Sequence, residues 1–200
     1  MEWIISIILA YLLGSISFSY IVGKKLANID IRQHGSGNAG ATNTLRVLGK
    51  GPAALVFLLD VLKGVASVLT AKYLGDGSHA IMITSGLASI VGHNWPVFFH
   101  FKGGKGVATT IGVMATLVFK AAFFAGIFAI LSIVITRYVS LGSLIFATLL
   151  SVFIYFLDYE LIYLYVGLLI TILAYIRHYK NIINLMKGKE RRLGDSKRSL

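Results

Sequence analysis

The sequence predicts an all-α, polytopic membrane helical bundle of about seven transmembrane helices, and three observations carry that prediction. Hydrophobic residues make up 56% of the 200-residue chain and charged residues only 14%, a balance that a soluble core of this size cannot hide. Apolar runs recur along the chain, separated by short polar punctuation. Lysine and arginine gather in alternate punctuation segments, as the loops of a multi-pass protein do.

The first apolar run covers 2–22. Glu2 stands where a removable leader carries basic residues, and no small-residue cleavage pattern follows the apolar stretch through Leu13, so this helix is expected to be retained. The second run, 52–72, carries Asp60 and Lys63 at i and i+3, where unpaired charges are costly and a mutual ion pair or a contact with a site is expected. The third covers 78–98. The fourth and fifth, 105–119 and 121–136, are short against the roughly 20 residues a bilayer needs and flank Lys120; they read as a helical hairpin or one broken element. The sixth and seventh cover 140–157 and 160–178. No internal repeat of useful length is present, so residues 1–200 read as one membrane domain with a basic, mobile, solvated tail from about Lys187.

Lys24, Lys25, Arg32, Arg46 and Lys50 follow the first run, Lys102 and Lys105 the third, Arg137 the fifth, and eight more cations lie between Arg177 and Arg198. Glu2, Asp76, Asp158 and Glu160 mark the other side. The expected topology places the N-terminus outside and the C-terminus in the cytoplasm. The net charge of +11 then speaks of topology and anionic headgroups rather than nucleic acid. The chain has no cysteine, which excludes disulfides, thiolate metal sites and acyl-cysteine chemistry. Its histidines have no carboxylate at metal-ligand spacing, so no metal is expected.

Three polar segments carry chemistry. The first runs from Arg32 through Gly35-Ser36-Gly37-Asn38-Ala39-Gly40-Ala41-Thr42-Asn43 to Arg46. Small residues expose amides there, hydroxyls and carboxamides suit phosphate oxygens, and Arg32 and Arg46 supply charge. A flexible turn before a helix capped by Thr42 or Asn43 explains it equally well, and such a helix start also favours an anion. The second runs from Gly92-His93-Asn94-Trp95-Pro96 to Lys102-Gly103-Gly104-Lys105-Gly106. Clustered glycine amides around Lys105 suit an anion, but the segment is not a Walker A loop, because Gly106 follows Lys105 and Phe99 fills the earlier glycine position. His93 is either a buried brace or a general base. The third is Arg177-His178-Tyr179-Lys180-Asn181, where Arg177 and Asn181 at i, i+4 and His178 and Asn181 at i, i+3 share a face; an interfacial anchor is its plain structural reading. Ser140 and Ser143 open the sixth run, as helix caps or as a phosphate contact. All three segments fall on one expected side.

Together, G-S-G-N-A-G-A-T-N from Gly35, G-H-N-W-P through F-K-G-G-K-G-V-A-T from Gly92, and R-H-Y-K-N from Arg177 resemble the bacterial acyl-phosphate-dependent glycerol-3-phosphate acyltransferase family. The resemblance extends to D-V-L-K-G from Asp60 and K-G-K-E from Lys187 and covers nearly the whole chain. It implies an integral enzyme of the bacterial cytoplasmic membrane that starts phospholipid synthesis. Such an enzyme moves an acyl group from acyl phosphate to the sn-1 hydroxyl of glycerol 3-phosphate, giving lysophosphatidate and phosphate. Glycerol 3-phosphate, acyl phosphate and membrane lipids are the expected partners; no cofactor is implied.

On this reading Lys105, His178 and Asn181 are the candidate catalytic residues. Ser36, Gly37, Thr42, Asn43, Arg46, Gly103, Gly104, Gly106 and Ser143 are candidates for holding substrate or phosphate. Asp60, Lys63, His93, Asn94 and Arg177 are candidates for supporting them. With no cysteine and no serine-histidine-acid arrangement, direct attack without an acyl-enzyme is expected. The proton acceptor is His178, His93 or the donor's own phosphate. A transporter for a phosphorylated metabolite is the rival reading, and it predicts midplane helix breaks and access from both sides.

Overall fold

The computed structural model describes residues 1–195, and every described regular element is helical. Two compact units divide the chain, Met1–Leu117 and Val118–Leu200.

The first unit begins with α1 (Glu2–Gly14) and α2 (Phe18–Ala27), which together form one apolar stretch interrupted at residues 15–17. A short 3-10 turn, Ile31–Gln33, leads to α3 (Ala41–Leu48), then α4 (Lys50–Leu74), α5 (His79–Asn94), a second 3-10 turn (Val97–Phe99) and α6 (Val107–Leu117). The start of α3 corrects one expectation. Its N-cap is Gly40, with no side-chain cap, and Asn43 lies fully buried inside the helix.

Small residues let these helices meet at backbone distance, as membrane packing requires. α1 lies on α5 through Ser6, Ala10 and Gly14 against Ser85, Ser89 and Gly92. α4 lies on α6, where a Cβ on Gly112 would collide with the Val61 carbonyl oxygen.

The second unit contains α7 (Phe119–Thr136), α8 (Val139–Phe156), α9 (Leu161–Arg177) and α10 (Tyr179–Met186). The buried stripe of α7 is Ala121, Ala122, Ala125 and Ala129, spaced to present one smooth face to α8. α8 and α9 are joined by polar contacts: Thr171 Oγ1 donates to the Ala147 carbonyl at 2.7 Å and lies 3.1 Å from Ser151 Oγ. α10 leaves α9 at a 65° bend.

Among the described residues, four stretches are long and apolar enough to cross a bilayer: Glu2–Ala27, Lys50–Leu74, Phe119–Thr136 and Val139–Phe156; the bent α9–α10 pair makes up to five. The shortfall against seven lies in α5, with 16 residues, and α6, with 11. α5 stops early because Pro96 lacks an amide and keeps Trp95, at φ -134 and ψ 72, out of helical backbone. The expected choice between a hairpin and one broken element over 105–136 resolves into separate helices α6 and α7, parted at Val118.

The tail is largely exposed over residues 187–195, and it is anchored at Glu190 and Leu193. The Leu193 amide donates to the Arg137 carbonyl at 2.7 Å, the Arg137 guanidinium donates to the Leu193 carbonyl, and Glu190 is only 8% exposed. A buried carboxylate and paired backbone groups hold this stretch in place despite its charged composition. Lys197 and Arg198 lie outside the described residues.

Candidate active site

The first polar loop is built around Asn43. Its Nδ2 donates to the carbonyls of Ile31 and His34, both at 3.0 Å, and its Oδ1 accepts from the Ser36 amide at 2.7 Å and from Ser36 Oγ at 3.1 Å. Asn43 therefore braces the loop from inside, with both carboxamide atoms hydrogen-bonded to the chain itself. Ser36 and Gly37 stand exposed, and Thr42 and Arg46 partly exposed. Thr42 occupies the first turn of α3, where helix amides lack intrahelical acceptors, and Arg46 follows one turn later.

Arg32 is a brace too. Its Nε and Nη2 donate to Asp30 Oδ1 and Oδ2 at 3.0 and 2.8 Å, its Nη1 donates to the Phe99 carbonyl at 3.0 Å, and its guanidinium lies 5.1 Å from the Tyr20 ring centroid. The hydrogen-bonded Arg32 holds the Asp30 carboxyl below its ordinary value, and Asp30 in turn raises the guanidinium. Asp30 was missed in the sequence, although its place two residues before Arg32 was the available signal.

Arg32 ties the first loop to the second, and Gly104 makes the other tie. The Gly104 amide donates to the His93 carbonyl at 3.1 Å. A Cβ on Gly104 would collide with His93 Nε2 and sit 2.6 Å from the Ala39 carbonyl oxygen, while one on Gly103 would stand 2.8 Å from the Asn94 carbonyl oxygen. Only glycine allows the second loop to seat between the end of α5 and the first loop. Gly104 and Gly106 are buried, Lys105 between them is partly exposed, and Gly106 has φ +80. Asn94 is 1% exposed beside Gly106, with neither carboxamide atom hydrogen-bonded among the described residues.

Beneath this loop pair lies the charge cluster of α4. Lys63 Nζ is 2.8 Å from Asp60 Oδ1 and donates to the Ile16 carbonyl at 2.8 Å, and His93 Nδ1 is 3.5 Å from the same Asp60 oxygen. The expected pair exists, and it reaches the second loop through His93. Ile16 lies in the break between α1 and α2, so Lys63 supplies a donor where the helix supplies none.

In the second unit, His178 is 2% exposed, and its Nδ1 lies 2.8 Å from the Ala174 carbonyl, a contact that requires the proton on Nδ1. Asn181 Nδ2 and Ser140 Oγ both donate to Glu190 Oε1, at 2.7 and 2.8 Å. Ser140 thus binds the tail rather than capping α8, whose N-cap is Tyr138. Ser143 turns back into its own helix, donating to the Val139 carbonyl at 2.9 Å. Arg177 ends α9 half-buried, in the segment that also carries His178 and Asn181. Glu190 is the group that residue-level reasoning missed; a single carboxylate among Lys187, Lys189, Arg191 and Arg192 was its only signal.

The geometry thus gathers Ser36, Gly37, Gly103, Gly104, Lys105 and Gly106 on two joined loops of one unit, with Thr42 and Arg46 on the helix α3 that follows the first loop. His178 and Asn181 sit on a separate braced segment of the other. Comparison with known proteins agrees over the same span. The glycerol-3-phosphate acyltransferase family model matches residues 4–188. A glycerol-3-phosphate acyltransferase of Halalkalibacterium halodurans is 55% identical over 200 residues, covering 98% of this chain and 97% of that one. Its counterpart in Shouchella clausii is 56% identical over 196 residues, covering 96% of each. The crystal structure of PlsY (YgiH), an integral membrane glycerol 3-phosphate acyltransferase, superposes in its glycerol 3-phosphate form with a TM-score of 0.91 at 40% identity, over 97% of this chain and 96% of that one. Its lysophosphatidic acid form gives a TM-score of 0.89. With agreement over nearly the whole length in sequence and fold, this chain belongs to the glycerol-3-phosphate acyltransferase family of integral membrane enzymes.

Proposed function

We propose that this acyltransferase moves a fatty acyl group from acyl phosphate to the sn-1 hydroxyl of glycerol 3-phosphate, releasing lysophosphatidate and inorganic phosphate. The observation that carries the reading is the seating of Gly104 between His93 and the Ala39 carbonyl, which joins two glycine-rich loops and places Lys105 beside the polar loop that leads to Arg46. Both substrates bear phosphate, and clustered amides with two cations match that chemistry. The related PlsY crystallised in glycerol 3-phosphate and lysophosphatidic acid forms supports the acceptor and the product.

In the reaction, the glycerol hydroxyl oxygen forms the new ester bond to the acyl carbon, and the bond from that carbon to the phosphate oxygen breaks. The hydroxyl proton passes to the departing phosphate, so no acyl-enzyme is formed. Lys105 and Arg46 neutralise phosphate charge, and the Gly103 and Gly106 amides face developing oxyanion charge. Orientation of two bound substrates is worth roughly 7 to 11 kcal/mol. The cations after the first, third and fifth apolar runs support a topology with both loops and the C-terminus in the cytoplasm and the N-terminus outside, in a bacterial cytoplasmic membrane.

Purified protein given labelled glycerol 3-phosphate tests this directly, with palmitoyl phosphate and palmitoyl-CoA as parallel donors. Lysophosphatidate from palmitoyl phosphate alone is the expected result. Equal turnover with palmitoyl-CoA would remove the donor assignment. Transport of labelled glycerol 3-phosphate across sealed vesicles without lipid formation would replace the enzyme by a transporter.

A further inference from the structure

Asp60, Lys63 and His93 are 2%, 4% and 7% exposed, and the transfer chemistry uses none of them. An ion pair buried in this way is often no more stabilising than apolar residues of the same volume, so stability alone does not account for it. Its contacts run to places where helices break. Lys63 reaches the Ile16 carbonyl, exposed by the interruption between α1 and α2, and its Nζ lies 5.6 Å from the Phe18 ring centroid. Asp60 reaches His93 in the last turn of α5. His93 holds the second loop twice, by its carbonyl at the Gly104 amide and by its ring edge against the Gly104 Cα, where no Cβ fits.

The geometry points to Asp60 and His93 as positioning residues for the Gly103–Gly106 loop. Asp60, clamped by Lys63, fixes the Nδ1 edge of the imidazole, and the opposite Nε2 edge fixes the seat of Gly104. The cluster converts the rigid packing of α4 into the placement of the Lys105 loop. This role rests on the phosphate-holding function proposed for that loop. It gives His93 no contact with the reacting atoms, so loosening His93 displaces the loop without removing a proton acceptor.

The test uses full-length protein in detergent. Asp60→Asn with Lys63→Met removes both charges together and leaves no buried charge unpaired. His93→Asn keeps a donor where Nδ1 stands, and His93→Gln does not. Measured quantities are thermal unfolding, hydrogen exchange of the peptide spanning 102–107, and kcat and KM for each phosphate substrate. The double variant is expected to fold but to unfold somewhat below the wild-type temperature, because the Ile16 carbonyl loses its donor, to exchange faster at 102–107, and to lose about tenfold or more in kcat/KM. That loss should fall mainly on KM for one phosphate substrate, and His93→Asn should retain more activity than His93→Gln. Wild-type exchange and kinetics in the folded double variant would overturn the proposal. So would a loss confined to kcat in both His93 variants with KM unchanged, which would make His93 the proton acceptor. Lys105→Ala separates the two levels: if it is inactive while the double variant is kinetically wild-type, the positioning role falls alone. If Lys105→Ala is fully active, the phosphate reading of the loop falls with it.

Discussion

Gly104→Ala is the substitution whose consequence can be worked most closely from the structure. The added Cβ would stand 2.6 Å from the Ala39 carbonyl oxygen, against the 3.4 Å at which ordinary contact begins. The backbone must therefore give by about 0.8 Å at that contact, and the collision with His93 Nε2 demands more. Ala39 belongs to the other loop and its oxygen is main chain, so that contact is not relieved by rotating a side chain, and the His93 ring that makes the other is held at its far edge by Asp60. A misplacement of about 1 Å costs on the order of 10²-fold in rate, or about 2.7 kcal/mol of transition-state stabilisation. The assay is formation of lysophosphatidate from labelled glycerol 3-phosphate and palmitoyl phosphate. Gly126→Ala serves as control, since a Cβ there meets nothing within 4 Å and a helix interior favours alanine. The reasoning is refuted if Gly104→Ala keeps wild-type kcat/KM while Gly126→Ala behaves as expected.

Three further outcomes follow from side chains in place. Glu190→Ala strands the donors of Asn181 and Ser140, so a loss of about 1 to 3 kcal/mol per buried group is expected in thermal unfolding, with Glu190→Gln milder because one acceptor remains. Asn94→Leu replaces a buried carboxamide that has no hydrogen-bond partner and should leave the unfolding temperature unchanged or raise it; a clear fall would show that the carboxamide is satisfied in the working protein. Asp30 has a folded carboxyl held below the ordinary 3.8 by its hydrogen bonds from Arg32. Its contribution is therefore complete above that value and lost as pH falls through the lower folded value. Unfolding temperature against pH should show the Asp30→Asn deficit constant at neutral pH and shrinking in acid, modestly because solvent reaches the pair.

The helical membrane class and the position of most helices were legible because long apolar runs have few alternatives in this composition. Helix ends were not. α5 stops at Asn94 because of Pro96, and the first run breaks at residues 15–17 without proline or charge to announce it. The two polar loops were legible as a pair, since glycine clusters beside cations stand out against apolar spans. What each side chain does there was harder to read. Asn43 and Arg32 carry the right chemistry for a phosphate ligand, yet both are consumed in bracing, because a loop rich in glycine needs internal hydrogen bonds to hold one shape. In the tail, charge correctly suggested exposure for most residues but gave no sign of the anchor, because Glu190 alone turns inward to two donors.

The measurement that bears most directly on the central claim is turnover of labelled glycerol 3-phosphate with palmitoyl phosphate by Lys105→Ala and Arg46→Ala. Lys72→Ala, near the end of α4, is the charge-matched control. The account predicts that kcat/KM falls by roughly 10² or more in both loop variants, in proteins that unfold at the wild-type temperature, and stays unchanged in the control. Undiminished kcat/KM in Lys105→Ala would contradict it and move the site away from the two joined loops.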